Sequence, residues 1–332
     1  MQSNSLQSRV ITARFTLPVS ITITLLCWAA VYFLFPDIQE EDTTYEFWKL
    51  ITDFPIPIWA NKAICLIIYF GIGYSLIQMN NAFGLIRARA SIQTSFYFLL
   101  IAACPAMQML KPGDLATLAF VIALYLLFGT YQSLRSSGYL FHAFLFIGLG
   151  SLVFPQITLF VPILLIGAFS FQSLTIRSLC AAIIGWSLPY WFLFGHAFWY
   201  DNMDLFYQPF IELSTFYPIN INHFQYWEMA VLGYSFILFL SSSIHCLAKS
   251  FKDKIRTRVY MRFLILLNLC TFLFIILQPV HCANLLPLLF VGVSILTCHM
   301  FVLTKSRASN IFFICTNLAL IALFLFNVWT LL

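Results

Sequence analysis

The chain has 332 residues, of which 61% are hydrophobic and only 9% charged; 17 Lys+Arg face 12 Asp+Glu for a net charge of +5, and the mean hydropathy is +0.91. Soluble domains carry about 25% charged residues and must expose much of their surface to water, which this composition cannot cover. A soluble enzyme, a nucleic-acid binder and a disordered chain are excluded, and a polytopic membrane protein remains.

A helix that crosses a bilayer needs about 20 predominantly apolar residues. In chain order the apolar runs lie near 15–35, 61–79, 93–110, 115–131, 138–153, 157–173, 178–198, 229–248, 261–278, 284–303 and 308–330. The predicted fold is therefore all-α, a single integral membrane domain over 1–332 with about eleven spans. Runs 138–153 and 157–173 are short, so that stretch reads either as two crossings or as a re-entrant pair turning at Phe154-Pro155. The first run is followed by Phe35-Pro36-Asp37 and no small-residue cleavage pattern, which reads as a retained anchor.

Charge segregates along these runs. With the N-terminus inside, one side receives Arg9, Arg14, Arg87, Arg89, Arg135, Arg177, Lys249, Lys252, Lys254, Arg256, Arg258, Arg262, Lys305 and Arg307, 14 of the 17 cations, with Asp253 as its only acid. The other side receives Lys49, Lys62, Lys111 and 11 of the 12 acids. Cations in short loops stay in the cytoplasm, so the expected N-terminus is cytoplasmic. Six of the eight Trp (Trp48, Trp59, Trp191, Trp199, Trp227 and Trp329) fall near outer span ends, the headgroup level where indoles settle. The nine cysteines are dispersed without a CxxC pair, so neither a disulfide framework nor a metal site is implied.

Three aqueous segments carry the remaining information. The inner loop 249–262 holds six cations; it reads as a topogenic anchor or as a contact for anionic headgroups, worth about 1 kcal/mol per cation. The outer loop 36–60 places Asp37, Glu40, Glu41, Asp42 and Glu46 within ten residues of a membrane exit. Tyr45, Trp48, Leu50 and Ile51 then suit a short interfacial helix that Asp42 can cap and that ends before Pro55. A solvated capping loop is one reading of these acids. The other is catalytic: a carboxylate at the membrane surface can deprotonate an acceptor hydroxyl, and clustered carboxylates either raise one another's pKa or share a divalent cation.

Glu40-Glu41-Asp42 after the first span, with Tyr45-Glu-Phe-Trp48 opening a surface helix, resembles the GT-C superfamily of integral-membrane glycosyltransferases. That resemblance implies many spans, a cytoplasmic N-terminus and sugar transfer from a polyprenyl-phosphate donor on the outer face. On it, Asp42 or Glu41 is the general base, Glu40 and Asp37 tune it, and Lys62 contacts the lipid phosphate. No arginine stands on the outer side, where many relatives use one for that phosphate. A second resemblance, to an uncharacterised family of bacterial inner-membrane proteins, covers roughly 60–200. It rests on Tyr131-Gln-Ser-Leu-Arg135, Phe141 through Gly148-Leu-Gly150, Ser151-Leu-Val-Phe-Pro155, Arg177, Gly185 and Pro189-Tyr190. It implies a bacterial plasma membrane and no chemistry.

The second outer loop, 199–228, sets Asp201, Asp204, Glu212, His223 and Glu228 among Tyr200, Phe206, Tyr207, Phe216, Tyr217, Tyr226 and Trp227. Rings stack on a pyranose and carboxylates bond its hydroxyls, so Tyr200, Asp201, Asp204 and Trp227 are candidate sugar contacts; an interfacial aromatic belt explains them equally. His196 and His281 lie at span mouths, where either can meet a phosphate when protonated or be structural. Lys62 is also explained by snorkelling. Three classes thus compete: a membrane glycosyltransferase, a lipid or solute transporter without a buried carboxylate for proton coupling, and a non-catalytic subunit of an envelope complex. Expected partners are membrane lipids, a polyprenyl-phosphate-linked sugar and, on the third reading, other envelope proteins.

Overall fold

The computed structural model describes residues 6–34, 45, 47–49, 57–86, 91–133, 135–217, 223–304 and 306–331. Among them no strand occurs. The helices are α1 (Leu6–Thr12), α2 (Thr16–Leu34), α3 (Ile58–Phe83), α4 (Ile92–Ala102), α5 (Pro112–Gly129), α6 (Ser136–Val153), α7 (Val161–Ser170), α8 (Ile176–Trp199), α9 (Asp204–Ser214), α10 (Tyr226–Ala248), α11 (Ile255–Leu277), α12 (Cys282–Leu303) and α13 (Arg307–Trp329). Nine of the helical segments among the described residues are long and apolar enough to cross a membrane; Ile92–Ala102 and Pro155–Ser170 are shorter. The chain is a multi-pass membrane protein.

Proline accompanies three of the helix breaks. Cys104, Phe154 and Gln278 each precede a proline and lie outside the helical region, with φ, ψ of −119°, 82°, of −134°, 89° and of −132°, 75°. The proline ring disfavours the helical region for the residue before it. Each break is followed by a short 3-10 turn, at Pro105–Gln108, Pro155–Phe160 and Pro279–His281. The expected span 93–110 is accordingly an eleven-residue helix and a 3-10 turn, and 157–173 starts as a 3-10 turn at Pro155.

The chain divides into two compact units. One comprises Met1–Gln39, Leu76–Met109 and Asn220–Leu332. Its axis is α12, buried without interruption from Cys282 to Phe301, with α10, α11 and α4 packed around it and α2 against α4. An all-round apolar helix needs this central position. Gly292 of α12 faces the Asn268 amide of α11, and Asn268 Nδ2 donates to Leu264 O at 2.8 Å. Gln7 ties α1 to the other end of α12, donating from Nε2 to Phe301 O at 2.7 Å and to Thr304 O at 3.0 Å.

The other unit comprises Glu40–Ser75 and Leu110–Ile219. Here α6 lies between α5 and α8. Small residues permit the approach: a Cβ on Gly150 would stand 3.3 Å from Ala119 Cβ, and one on Gly148 would stand 3.0 Å from Pro189 Cγ and 2.5 Å from Trp186 O. A Cβ on Gly185 would meet the backbone of Phe141. Tyr190 adds a hydroxyl bond to Ser151 Oγ at 2.9 Å. Van der Waals contact and interhelical hydrogen bonds are what hold helices together where lipid removes the hydrophobic drive. The outer faces stay apolar, with Trp191, Phe192 and Phe198 of α8 all exposed, as a bilayer permits.

Candidate functional site

Pairings within the second unit show which helix ends share a level. Tyr69 and Cys65 of α3 meet Asp114 of α5, so α3 and α5 run parallel from adjacent starts. Gly150 of α6 faces Ala116 of α5, so α6 ends where α5 begins. Ser151 of α6 bonds Tyr190 of α8, which brings α8 to finish on the same side, followed by α9. Lys62, Asp114, Gln156, Tyr200, Asp201 and Asp204 therefore gather at one end of this unit.

At the α3–α5 start the focus is the Asp114 carboxylate. Tyr69 donates its hydroxyl hydrogen to Oδ1 at 2.8 Å, Lys111 N donates to Oδ2 at 2.8 Å, and the Cys65 thiol lies 3.8 Å from Oδ2. Pro112 and Asp114 in the first turn of α5 suit a helix start, where a carboxylate satisfies an otherwise open backbone donor. Asn61 Oδ1 accepts from Leu110 N at 2.9 Å and fixes the chain entering α5. Lys62 is 2% exposed and lies three and seven residues before Cys65 and Tyr69, on the same buried stripe of α3.

A second polar set lies where the Pro155–Phe160 turn meets α9. Leu205, Pro209 and Glu212 form the buried face of α9, whereas its Tyr207, Phe210 and Ile211 are exposed. An acid therefore points inward beneath an aromatic outer face. Tyr45 is buried against Phe154, their ring centroids 5.9 Å apart, and lies near Glu212. Burial, and after it the Glu212 carboxylate, push the Tyr45 hydroxyl far above its ordinary range, so it stays a neutral hydrogen-bonding group. Gln156, 3% exposed, lies beside that hydroxyl. Between α8 and α9 an open groove of 320 Å³ is lined by Trp186, Tyr190, Trp191, Phe194, Phe206 and Phe210.

The sequence-predicted residues distribute as follows. Asp37, Glu40, Glu41 and Asp42 lie outside the described residues, as does most of the expected surface helix, of which 47–49 are helical. His196 and Tyr200 are exposed, their rings 4.6 Å apart at the end of α8. Asp201 occupies the left-handed region at φ 53°, and Asp204 is an exposed acid in the first turn of α9. In the first unit, Trp227 is buried and donates from Nε1 to Gln225 Oε1, while Glu228 Oε2 accepts from Gln225 N at 3.0 Å. Trp227 is thus a packed side chain of the α10 start. His281 is buried and stacked on Phe274 at 6.2 Å.

Sequence reasoning passed over Gln156, the inward face of Glu212 and the Asp253–His299 pair, whose carboxylate and ring lie 3.3 Å apart in the first unit. Glu212 had a signal, its spacing of three and seven residues from Pro209 and Leu205; Gln156 had only the proline before it. Among the described residues no group of three His, Cys, Asp or Glu side chains is placed to hold a metal ion. No family model, curated protein or solved structure matches the chain.

Proposed function

We propose that this protein is a bacterial plasma-membrane group transferase that moves a sugar or related group from a polyprenyl-phosphate carrier on the outer face. The observation that carries the reading is Lys62, a cation withdrawn from solvent at the end of a membrane helix, on the stripe that leads to Tyr69 and Asp114. At that depth a lipid phosphate would find a charge-assisted partner in weakly screening surroundings. Nine long apolar helices among the described residues are consistent with this reading, which takes the shorter Ile92–Gln108 and Pro155–Ser170 segments as two further crossings. With a cytoplasmic N-terminus and each of these segments crossing once, loop 36–60, the starts of α3 and α5 and helix α9 would lie on the outer face.

In the proposed step, Asp42 or Glu41 takes the proton of an acceptor hydroxyl, with Asp37 and Glu40 raising its basicity. The hydroxyl oxygen bonds to the anomeric carbon as the bond from that carbon to the carrier phosphate oxygen breaks. The phosphate leaves with the bonding pair, beside Lys62.

The test is replacement of Glu40, Glu41 and Asp42 by Gln, Gln and Asn in a strain lacking the wild-type copy, with envelope glycans as the readout. Loss of one glycan class at normal protein level is expected. Unchanged glycans at that level overturn the proposal.

A further inference from the structure

We propose that the groove between α8 and α9, with the buried polar set at the Pro155–Phe160 turn, binds a membrane amphiphile whose headgroup is uncharged and rich in hydroxyls. The inference holds whether or not the chain transfers groups.

Three observations carry it. The groove is open, aromatic and 320 Å³, near the lower end for ligand sites, which suits a stretch of alkyl chain. Its flanking residues Trp191, Phe192 and Phe198 are exposed on the lipid-facing surface of α8, so a chain can enter from the bilayer. Beside this apolar slot lie hydrogen-bonding atoms withdrawn from solvent and short of partners among the described residues: Trp186 Nε1, Thr158 Oγ1 with the Tyr190 hydroxyl beside it, and the Gln156 amide with the Tyr45 hydroxyl beside it. Tyr190 links the two parts, since its ring lines the groove while its hydroxyl reaches Ser151 with Thr158 alongside.

The polar atoms define the headgroup. An amide offers donors and an acceptor, a hydroxyl offers both, and an indole N–H only donates. That inventory matches hydroxyl groups, which also donate and accept. The Glu212 carboxylate faces the same region from α9 and opposes a phosphate or carboxylate headgroup. A buried glutamine whose amide has one hydroxyl beside it still leaves hydrogen-bonding capacity open, and the desolvation of that open end destabilises the resting protein, a burden that a bound hydroxylated ligand would relieve.

The experiment uses the full chain in phosphatidylcholine nanodiscs and a dodecyl glucoside with a diazirine in its alkyl chain, with labelled peptides located by mass spectrometry. Saturable labelling of the 186–210 segment is expected, competed by unlabelled dodecyl glucoside and not by dodecyl phosphate. Gln156→Leu should weaken competition about tenfold, the equivalent of one or two lost hydrogen bonds, while raising the unfolding temperature. Trp186→Phe, which removes only the indole N–H from that inventory, gives a second reading and should weaken it about fivefold. Equal competition by dodecyl phosphate, labelling confined to other segments, or unchanged competition in both folded variants overturns the proposal.

Discussion

Tyr69 holds Asp114 across the α3–α5 boundary, its hydroxyl 2.8 Å from Oδ1, while the other carboxylate oxygen closes the first turn of α5. Both side chains are about 1% exposed. The carboxylate thereby fixes how the Leu110–Lys111 segment enters α5, next to the helix turn that carries Lys62.

Removing one donor from that carboxylate leaves a buried oxygen less satisfied. Tyr69→Phe is expected to lower stability by about 1–3 kcal/mol, read from unfolding of the purified protein in detergent. Asp114→Leu should cost at least as much, because it strands the Tyr69 hydroxyl and the Lys111 N–H. The double variant Tyr69→Phe/Asp114→Leu should lose clearly less than the sum of the two. Additive losses would show that the two side chains act independently.

The glycines divide into two sets with opposite expectations. Gly148 and Gly185 sit where α6 and α8 touch backbone to backbone, so Gly148→Ala and Gly185→Ala should each destabilise by about 1–3 kcal/mol through overpacking. Gly195 of α8 and Gly233 of α10 have no atom within 4 Å of an added Cβ. There the same substitution removes only chain entropy, and should stabilise by about 0.5–1 kcal/mol. Thermal unfolding of the four variants checks this; a uniform response would contradict the packing described for α6 and α8.

That contrast also shows what the sequence could and could not reveal. Apolar length exposed the long helices, since a bilayer imposes a simple count on each crossing. It blurred 93–110 and 157–173, where Pro105 and Pro155 convert part of a run into a 3-10 turn without lowering its hydropathy. The Gly- and Pro-bearing segments around Gly148, Ser151, Gly185 and Pro189-Tyr190 are contact residues of α6 and α8. They carry packing, which is why they conveyed no chemistry. Glu212 was legible as an acid in an aromatic loop, but its inward direction depends on how α9 lies on the Pro155–Phe160 turn, and that is a tertiary fact.

In the first unit, Asn268 fills the space above Gly292 so closely that any Cβ there would overlap its amide. Gly292→Ala alone should cost about 1–3 kcal/mol. Asn268→Ala alone should cost a similar amount, by opening a cavity against α12. In the double variant the new methyl occupies part of the vacated space, so the combined loss should fall short of the sum by about 0.5 kcal/mol or more. A strictly additive pair would mean that the helices shift apart instead.

The proposed chemistry needs loop 36–60 and helix α9 outside and the basic 249–262 segment inside, and this sidedness can be read directly. Alkaline phosphatase fused after Gln39 or within the 215–225 segment should be active, because the reporter folds only beyond the membrane. The same reporter after Lys254 should be inactive, held back by Lys249, Lys252 and Lys254, the cations of that loop that the fusion retains. The shorter crossings have their own check: fusions after Gln108 should be active and fusions after Gln132 inactive if Ile92–Gln108 and α5 each cross once. Activity after Lys254 with silence after Gln39 would invert the protein. Lys62 and the acids of the first loop would then face the cytosol, beyond reach of an outer-face carrier.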